Sequence, residues 1–340
     1  MRTAPYLVGL LLAACGPSTS GGADDEPGGA IDARVDAPFV DNGDAQDSCP
    51  PPATTPGPEV QLAAQYAPHY TVYDLGPAPG VPNPLGGATV HITDDDTLLI
   101  GGNSENGSGA IYEIGVTRNA CGHITGWNGT ATQHAATPYV DANLVYVNSQ
   151  LMLYTQWPMA ILSQLPVGAS APARDTDLRA VGLPSGDSGP GGLGIVPPGL
   201  AGAGGLRMVT WPGGYWVHVN TAPDNGLLAI TGVSQTATIA NNPGGFAYVP
   251  AGSPGFTQQA IIVAEWVAAD PAQDRVAVYD ADAQGDPIVA TRREFMTRFP
   301  RPRGAYFEPL TGDYLFLSWG AAGTDRVYVV QGFAPPPPID

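Results

Sequence analysis

The chain has 340 residues, of which 45 are glycine and 36 are proline. Both residue types destabilise helix interiors, so the composition excludes a helical bundle or coiled coil, while a hydrophobic content of 43% is enough to bury a sizeable core. Thirteen arginines, with no lysine, face 31 acidic residues, and the resulting net charge of −18 excludes a general nucleic-acid-binding surface.

The chain begins with an apolar run from Tyr6 to Leu12, preceded by Arg2 and followed by Ala13, Ala14 and Cys15. The run is too short to span a bilayer as a helix and is typical of a secretory signal. This segment resembles the lipobox of bacterial lipoproteins, which implies a signal peptide over residues 1–14 and lipidation of Cys15. Because Gly16 rather than Asp follows the cysteine, the resemblance implies an outer-membrane anchor, with the rest of the chain periplasmic or surface-exposed.

The two remaining cysteines, Cys49 and Cys121, form an even pair. In an oxidising compartment such a pair is expected to form a disulfide bond. Two unpaired thiols are the alternative, because sequence spacing alone does not establish contact.

Residues 15–58 are dominated by glycine, proline and small polar or acidic residues, with very few large apolar ones. Such a segment cannot bury enough surface to fold alone, so we expect a disordered linker. Aspartates recur every three to five positions from Asp32 to Asp47. A self-repelling, extended spacer explains them better than a Ca²⁺ loop, which needs tight turns and converging oxygen ligands.

An internal repeat of about 54 residues follows, because the spacings between four of the six tryptophans are 54, 55 and 53 residues. Each of these tryptophans ends an apolar run, and the similar run TLLIGGN ends at Asn103, one period earlier. A second apolar run, introduced by a small residue, precedes each of them. These starting residues are Gly87, Ala142, Gly192, Gly245 and Gly304.

Each repeat contains four runs of strand length separated by turn residues, and the last repeat lacks its fourth run. A spare run, from His69 to Gly76, precedes the first repeat and could complete the last. These features resemble β-propellers, which implies an all-β ring of five four-stranded blades over residues 59–334, followed by a proline-rich tail over residues 335–340. Six or seven blades stay open, and a pair of β-sandwiches is the runner-up.

The first repeat, with Gly101-Gly102, Tyr112 and Trp127, also resembles a Kelch blade, whereas the other repeats do not. The resemblance therefore implies the architecture and no particular propeller family.

In propellers, the end of the second strand approaches the face that carries function. The resemblance therefore implies a ring of five residues around that face, accompanied by Gln156, Thr210, Glu265 and Ser318. The ring residues are Asn103, Trp157, Trp211, Trp266 and Trp319. Aromatic faces suit sugars, aromatic ligands or peptides, while repetition at one position is equally expected of a packing device between blades.

Five of the thirteen arginines cluster between the fourth and fifth repeats, where we expect a loop. They are Arg292, Arg293, Arg298, Arg301 and Arg303. In so acidic a protein the cluster could bind a carboxylate or phosphate, or its members could pair with nearby Asp and Glu side chains.

Asp141 and Glu265 are the candidate catalytic pair if the channel cleaves carbohydrate, as in five-bladed glycoside hydrolases. A Ca²⁺ site with Asn103 and Glu265 is a weaker alternative, and the five histidines show no metal-ligand spacing. No nucleophile elbow, P-loop or zinc pattern is present, so no metal or cofactor is expected.

The first functional hypothesis is therefore a non-enzymatic, membrane-anchored module that binds a glycan, a peptide or an envelope protein. The alternatives are a carbohydrate-active hydrolase or lyase, and a purely structural envelope protein.

Overall fold

The computed structural model describes residues 54–184, 186, 189–267, 271–320 and 325–338. It contains twenty-one strands and two short 3₁₀ helices, Arg179–Val181 and Pro271–Gln273. In chain order the strands are β1 (Gln61–Leu62), β2 (Thr71–Gly76), β3 (Ala88–His91), β4 (Asp94–Gly102), β5 (Ala110–Arg118), β6 (Ile124–Ala136), β7 (Val140–Asn148), β8 (Leu151–Gln156), β9 (Ile161–Pro166), β10 (Arg174–Asp177), β11 (Gly189–Ile195), β12 (Leu206–Trp211), β13 (Tyr215–Asp224), β14 (Leu227–Thr238), β15 (Pro243–Tyr248), β16 (Ala260–Glu265), β17 (Arg275–Ala281), β18 (Pro287–Arg298), β19 (Pro302–Phe307), β20 (Tyr314–Ser318) and β21 (Val327–Gln331).

These strands form five antiparallel sheets, which are the five predicted blades. Blades 1 to 4 consist of β3–β6, β7–β10, β11–β14 and β15–β18, and blade 4 gains β1 on its outer edge. Blade 5 consists of β19, β20 and β21, with β2 as its fourth strand. The strand β2, from the spare run that precedes the first repeat, therefore closes the ring, as the sequence predicted.

The hydrophobic core is divided among the five interfaces between neighbouring blades. On β8, for example, Leu151 and Leu153 pack toward blade 3, whereas Met152 and Tyr154 pack toward blade 1. Successive side chains of a strand point to opposite sides of its sheet, so a strand buried on both sides reads as a continuous apolar run. This is why the second strand of each blade was visible in the sequence.

Among the described residues, no helix is long and apolar enough to cross a membrane. The predicted signal peptide, Cys15, Cys49 and most of the predicted linker lie outside the described residues. Cys121 lies in the turn between β5 and β6, and its pairing with Cys49 stays a prediction. Thr54 and Asp74 exchange hydrogen bonds, so the described chain contacts blade 5 from its first residue.

Candidate functional site

The four repeated tryptophans lie at one end of the ring, where each inner strand starts and each second strand ends. Consecutive indole rings contact one another, with centroids 5.2 Å apart for Trp157 and Trp211, 5.6 Å for Trp211 and Trp266, and 5.1 Å for Trp266 and Trp319. We call this end of the ring the Trp face. Asn103 occupies the corresponding place in blade 1, where its side chain donates a hydrogen bond to Ser108.

Hydrogen bonds tie three of the four rings to the neighbouring blades. The indole N–H of Trp157 donates to the backbone of Trp211, and that of Trp266 donates to Pro302 at 2.7 Å. The indole N–H of Trp319 points to Ser104 of blade 1 at 3.3 Å. The tryptophans therefore pack and fasten adjacent blades, which is the packing alternative that the sequence left open.

A residue with left-handed backbone geometry precedes the inner strand in three blades. Its carbonyl accepts the backbone N–H of the tryptophan in the same blade, which fixes the tryptophan beside the start of the inner strand. These residues are Tyr139 (φ 57°), Asn242 (φ 47°) and Arg301 (φ 45°), which pair with Trp157, Trp266 and Trp319. The Trp face is thus held by backbone geometry as well as by ring contacts.

The residue before each tryptophan is buried and bonds within its own blade. Glu265 accepts hydrogen bonds from the Tyr279 hydroxyl at 2.8 Å and from the Arg292 guanidinium at 3.0 Å. Gln156 donates to Ser163 in the same way. These positions are structural links between strands of one blade.

At the axis of the Trp face, Arg303 joins two acidic side chains. Arg303 begins the inner strand of blade 5, and one of its terminal nitrogens donates to both Asp141 of blade 2 and Glu105 of the turn after β4. Asp141 and Arg303 are only 1% and 4% exposed. Burial raises the pKa of Asp141 to about 8, against the opposing effect of Arg303. This ionic cluster closes the axis at the Trp face.

The two predicted catalytic residues thus contact different arginines, Asp141 contacting Arg303 and Glu265 contacting Arg292. Glu105 contacts the same arginine, Arg303, as Asp141 does, and the sequence analysis missed it. It lies in a turn outside the apolar runs, so the repeat pattern gave no signal for it.

The expectation that the clustered arginines occupy a loop was wrong for four of the five. Arg292, Arg293 and Arg298 lie on β18 and Arg303 lies on β19, and the adjacent Arg292 and Arg293 point to opposite faces of the blade. Most cluster members pair with acidic side chains, as one of the two alternatives predicted. The pairs are Arg292 with Glu265, Arg293 with Asp280, Arg301 with Asp274, and Arg303 with Asp141 and Glu105. Arg298 is exposed at the end of β18.

Three of the five histidines also face carboxylates, His123 with Asp313, His134 with Glu113 and His218 with Asp286. No group of three or more His, Cys, Asp or Glu side chains in the described part of the chain could hold a metal ion. Asn103 and Glu265, which the calcium alternative joined, bond to different partners.

Just below the ionic cluster, Asn143 fills the centre of the ring. Its side-chain oxygen accepts the backbone N–H groups of Leu193 and Phe246, both at 3.2 Å. Its amide nitrogen donates to the carbonyls of Phe246 and Ala305 at 3.3 and 2.9 Å. One side chain of blade 2 thereby bonds to the inner strands of blades 3, 4 and 5.

The small residues that introduced the inner strands explain how the blades approach so closely. A Cβ atom on Gly245 would lie 2.3 Å from the carbonyl oxygen of Arg303, and one on Gly192 would lie 2.6 Å from that of Gly244. Side chains at these positions would therefore push the inner strands apart. Close backbone contact and Asn143 together seal the channel at this level.

Beyond Asn143 the channel widens into a cavity of about 580 Å³, which opens at the end of the ring opposite the Trp face. We call it the channel cavity. Its wall comes mainly from the later halves of the inner strands of blades 2 to 5, with Tyr146, Ile195, Tyr248 and Tyr306 among the lining residues. The sequence analysis placed ligand binding at the Trp face and, as the alternative, carbohydrate cleavage in the channel, and it named none of the residues that line this cavity as site residues.

The lining of the channel cavity is uncharged, and its polar groups bond within the protein. The Tyr248 hydroxyl donates to the carbonyl of Gly285 at 2.7 Å, and the Gln259 amide donates to that of Val249 at 2.6 Å. Burial raises the pKa of Tyr146 and of Tyr306 to about 12, so both stay neutral phenols. The cavity therefore offers ring faces and aliphatic carbons to whatever enters it.

No family model matches the chain, and no curated protein matches it. Solved structures match it at 8–13% identity. A Bacteroides uniformis protein provisionally assigned as a 6-phosphogluconolactonase is 12% identical, with a TM-score of 0.38, and the match covers 76% of this chain and 74% of that one. A Thermus thermophilus protein provisionally assigned as a glucose dehydrogenase is 13% identical, with a TM-score of 0.43 and coverages of 77% and 92%. The soluble aldose sugar dehydrogenase of Escherichia coli is 10% identical, with a TM-score of 0.38 and coverages of 74% and 84%. Likenesses this distant carry no argument about the chemistry of this chain.

Proposed function

We propose that this protein is a binding module that takes an uncharged, largely apolar ligand in the channel cavity. The observation that carries the proposal is a cavity of about 580 Å³ whose lining is uncharged in a protein of net charge −18. Ligand sites are typically concave, mostly apolar and about 300–1,000 Å³ in volume.

The charge distribution argues for an uncharged ligand. Transfer of a charged group into an apolar site costs free energy unless an opposite charge or hydrogen bonds compensate it. The tyrosine hydroxyls and the Gln259 amide are already bonded to the protein, so the lining offers little compensation. A ligand with apolar rings or chains loses the least solvation free energy on entering the channel cavity.

The same lining argues for binding rather than catalysis. General acid–base and nucleophilic chemistry need ionisable or nucleophilic groups at the reacting atoms. The described residues around the channel cavity include no Asp, Glu, His, Cys, Lys or Arg. The acids of the ring axis, Asp141 and Glu105, lie on the other side of Asn143 and are engaged by Arg303.

The location of the module rests on the sequence. Lipidation of Cys15 would anchor the chain in the cell envelope, and the linker up to residue 58 would hold the propeller away from the lipid surface. Loss of membrane association in Cys15→Ser, measured by fractionation, is the expected result. A variant that stays in the membrane fraction would contradict the anchor.

The binding proposal is tested with N-phenyl-1-naphthylamine, an uncharged fluorescent probe, and the fragment from residue 54. We expect saturable binding that Ile195→Glu weakens at least tenfold, because it places a charge in the cavity, and that Ala247→Trp weakens by filling space. Arg301→Ala, on the Trp face, is the matched control and should bind normally. Melting temperatures show whether each variant is folded.

Two results would contradict this function. Equal binding by Ile195→Glu and Arg301→Ala would place the probe outside the channel cavity. Screening of glycan and peptide arrays, with mass spectrometry of every bound compound, tests the alternative directly, because a cleaved glycan would identify a hydrolase or lyase.

A further inference from the structure

The C-terminal segment of the described chain lies at the mouth of the channel cavity. Pro336, Pro337 and Pro338 belong to its lining, together with the ends of the inner strands. The cavity keeps its volume of about 580 Å³ with these prolines in place. They therefore form part of its wall and do not fill it.

The chain just before these prolines is firmly anchored. Phe333 is 5% exposed, and its ring centroid lies 4.2 Å from that of Tyr70 and 4.8 Å from that of Phe307. The backbone N–H of Ala334 donates to the Ser253 hydroxyl at 3.2 Å. The path of the following residues over the cavity is thus fixed from one end.

The prolines themselves are held in a different way. Proline has no backbone N–H, so residues 335–338 can donate no backbone hydrogen bond, and their rings keep the chain extended and stiff. Pro336 is half-buried, whereas Pro337 and Pro338 are exposed. These residues offer apolar ring atoms to a ligand in the channel cavity, whose lining also includes Tyr306.

We infer that residues Pro336–Pro338 are ligand-contacting residues, which cover an uncharged apolar ligand in the channel cavity and slow its release. The inference rests on the proposed function and adds that the site is completed by the C-terminal segment. Stiff proline segments pack well on aromatic faces because little chain entropy is lost. A ligand lying between the tyrosine rings and this segment would contact apolar groups on both of its faces.

The test compares release rates of N-phenyl-1-naphthylamine from the full chain, from a chain ending at Ala334, and from Pro336→Gly/Pro337→Gly/Pro338→Gly, all carrying Cys15→Ser. We expect the dissociation rate constant, measured by stopped-flow dilution, to rise at least tenfold in both variants, with weaker equilibrium binding. Pro300→Gly, outside the channel cavity, is the matched control and should release the probe at the original rate.

The possible outcomes separate this inference from the proposed function. An unchanged release rate in both variants, with normal binding by the full chain, would overturn the inference and leave the proposed function intact. Tighter binding after truncation would also overturn it, since the segment would then compete with the ligand. Absence of any binding by the full chain would overturn the proposed function, and the inference with it.

Discussion

At the scale of single residues, Asn143 has the widest reach of any side chain at the ring axis, because it bonds to the inner strands of three other blades. Asn143→Ala would leave two buried N–H groups and two carbonyls without these partners. Each buried polar group that loses its partner costs about 1–3 kcal/mol. We therefore expect the free energy of unfolding to fall by about 3–5 kcal/mol, as measured by urea denaturation.

Asn148→Ala is the matched control for that experiment. It removes an asparagine from the exposed end of the same strand, where the side chain accepts one hydrogen bond from Gln150 at 2.8 Å. A loss of about 1 kcal/mol or less is expected there. Equal losses at both positions would show that Asn143 does not hold the axis.

The buried Asp141 makes stability depend on pH. Its pKa is raised by burial to about 8, against about 3.9 in an unfolded chain, so the folded protein retains a proton that the unfolded chain releases. The free energy of unfolding should therefore fall as pH rises from about 4 to 8, by up to about 1.4 kcal/mol per pH unit for one proton. Asp141→Asn removes this dependence.

The measurement is urea denaturation of both proteins at pH 5, 6 and 7. We expect the stability of the parent, relative to Asp141→Asn, to decrease with each step. Asp96→Asn, at an exposed position on blade 1, controls for the loss of a negative charge as such. If the stability of the parent relative to Asp141→Asn increased with pH, Asp141 would be ionised in the folded protein.

The sequence predicted the place of Asp141, at the start of an inner strand, because small or polar residues recur there. It could not predict that Arg303, 162 positions away, reaches the same point. Glu265 was correctly expected at the end of a second strand, but its partner Arg292 depended on the side-chain direction in β18. Periodicity locates a residue on an element, whereas pairing requires the register between elements.

At the scale of elements, the tryptophans couple the blades in sequence around part of the ring. Trp211 contacts both Trp157 and Trp266, so each ring stabilises the position of the next. Aromatic pairs contribute about 0.5–1.5 kcal/mol beyond the area that they bury. A double-mutant cycle with Trp211→Leu and Trp266→Leu should therefore yield a coupling energy of that size in chemical denaturation.

Trp157→Leu and Trp319→Leu form the matched control cycle. These two rings are linked only through the others among the described ring contacts, and their effects should add within about 0.5 kcal/mol. Coupling of similar size in both cycles would refute transmission by direct ring contact.

Blade number and strand order were predictable because each second strand is buried on both sides and gives the same apolar run every 54 residues or so. The outer strands were less regular, from the four residues of β10 to the thirteen of β6, since they face solvent on one edge. The addition of β1 to blade 4 involves only two residues, Gln61 and Leu62, and left no periodic signal. The sequence analysis missed the channel cavity because the residues that line it belong to the same apolar runs as the residues of the core.

At the scale of the whole molecule, the ring is closed by a non-local pairing, that of β2 with β21. Thr71 lies opposite Gln331 and Tyr73 opposite Val329, so β2 and the last strand belong to one sheet. A propeller avoids exposed sheet edges where its blades are complete, and an open blade 5 would expose the buried strand β21.

Removal of β2 should therefore prevent the ring from closing. We expect the fragment 54–340 to unfold in one cooperative transition and the fragment 77–340 to be unfolded or aggregated, as judged by circular dichroism and size-exclusion chromatography.

A synthetic peptide covering residues 66–78 should restore the folded state of the fragment 77–340. The same peptide with Val72→Asp should not, because Val72 is 7% exposed and packs in the interface between blades 4 and 5. A cooperative melt of the fragment 77–340 without peptide would mean that four blades and three strands of the fifth suffice, and that the pairing of β2 completes the fold without being required for it.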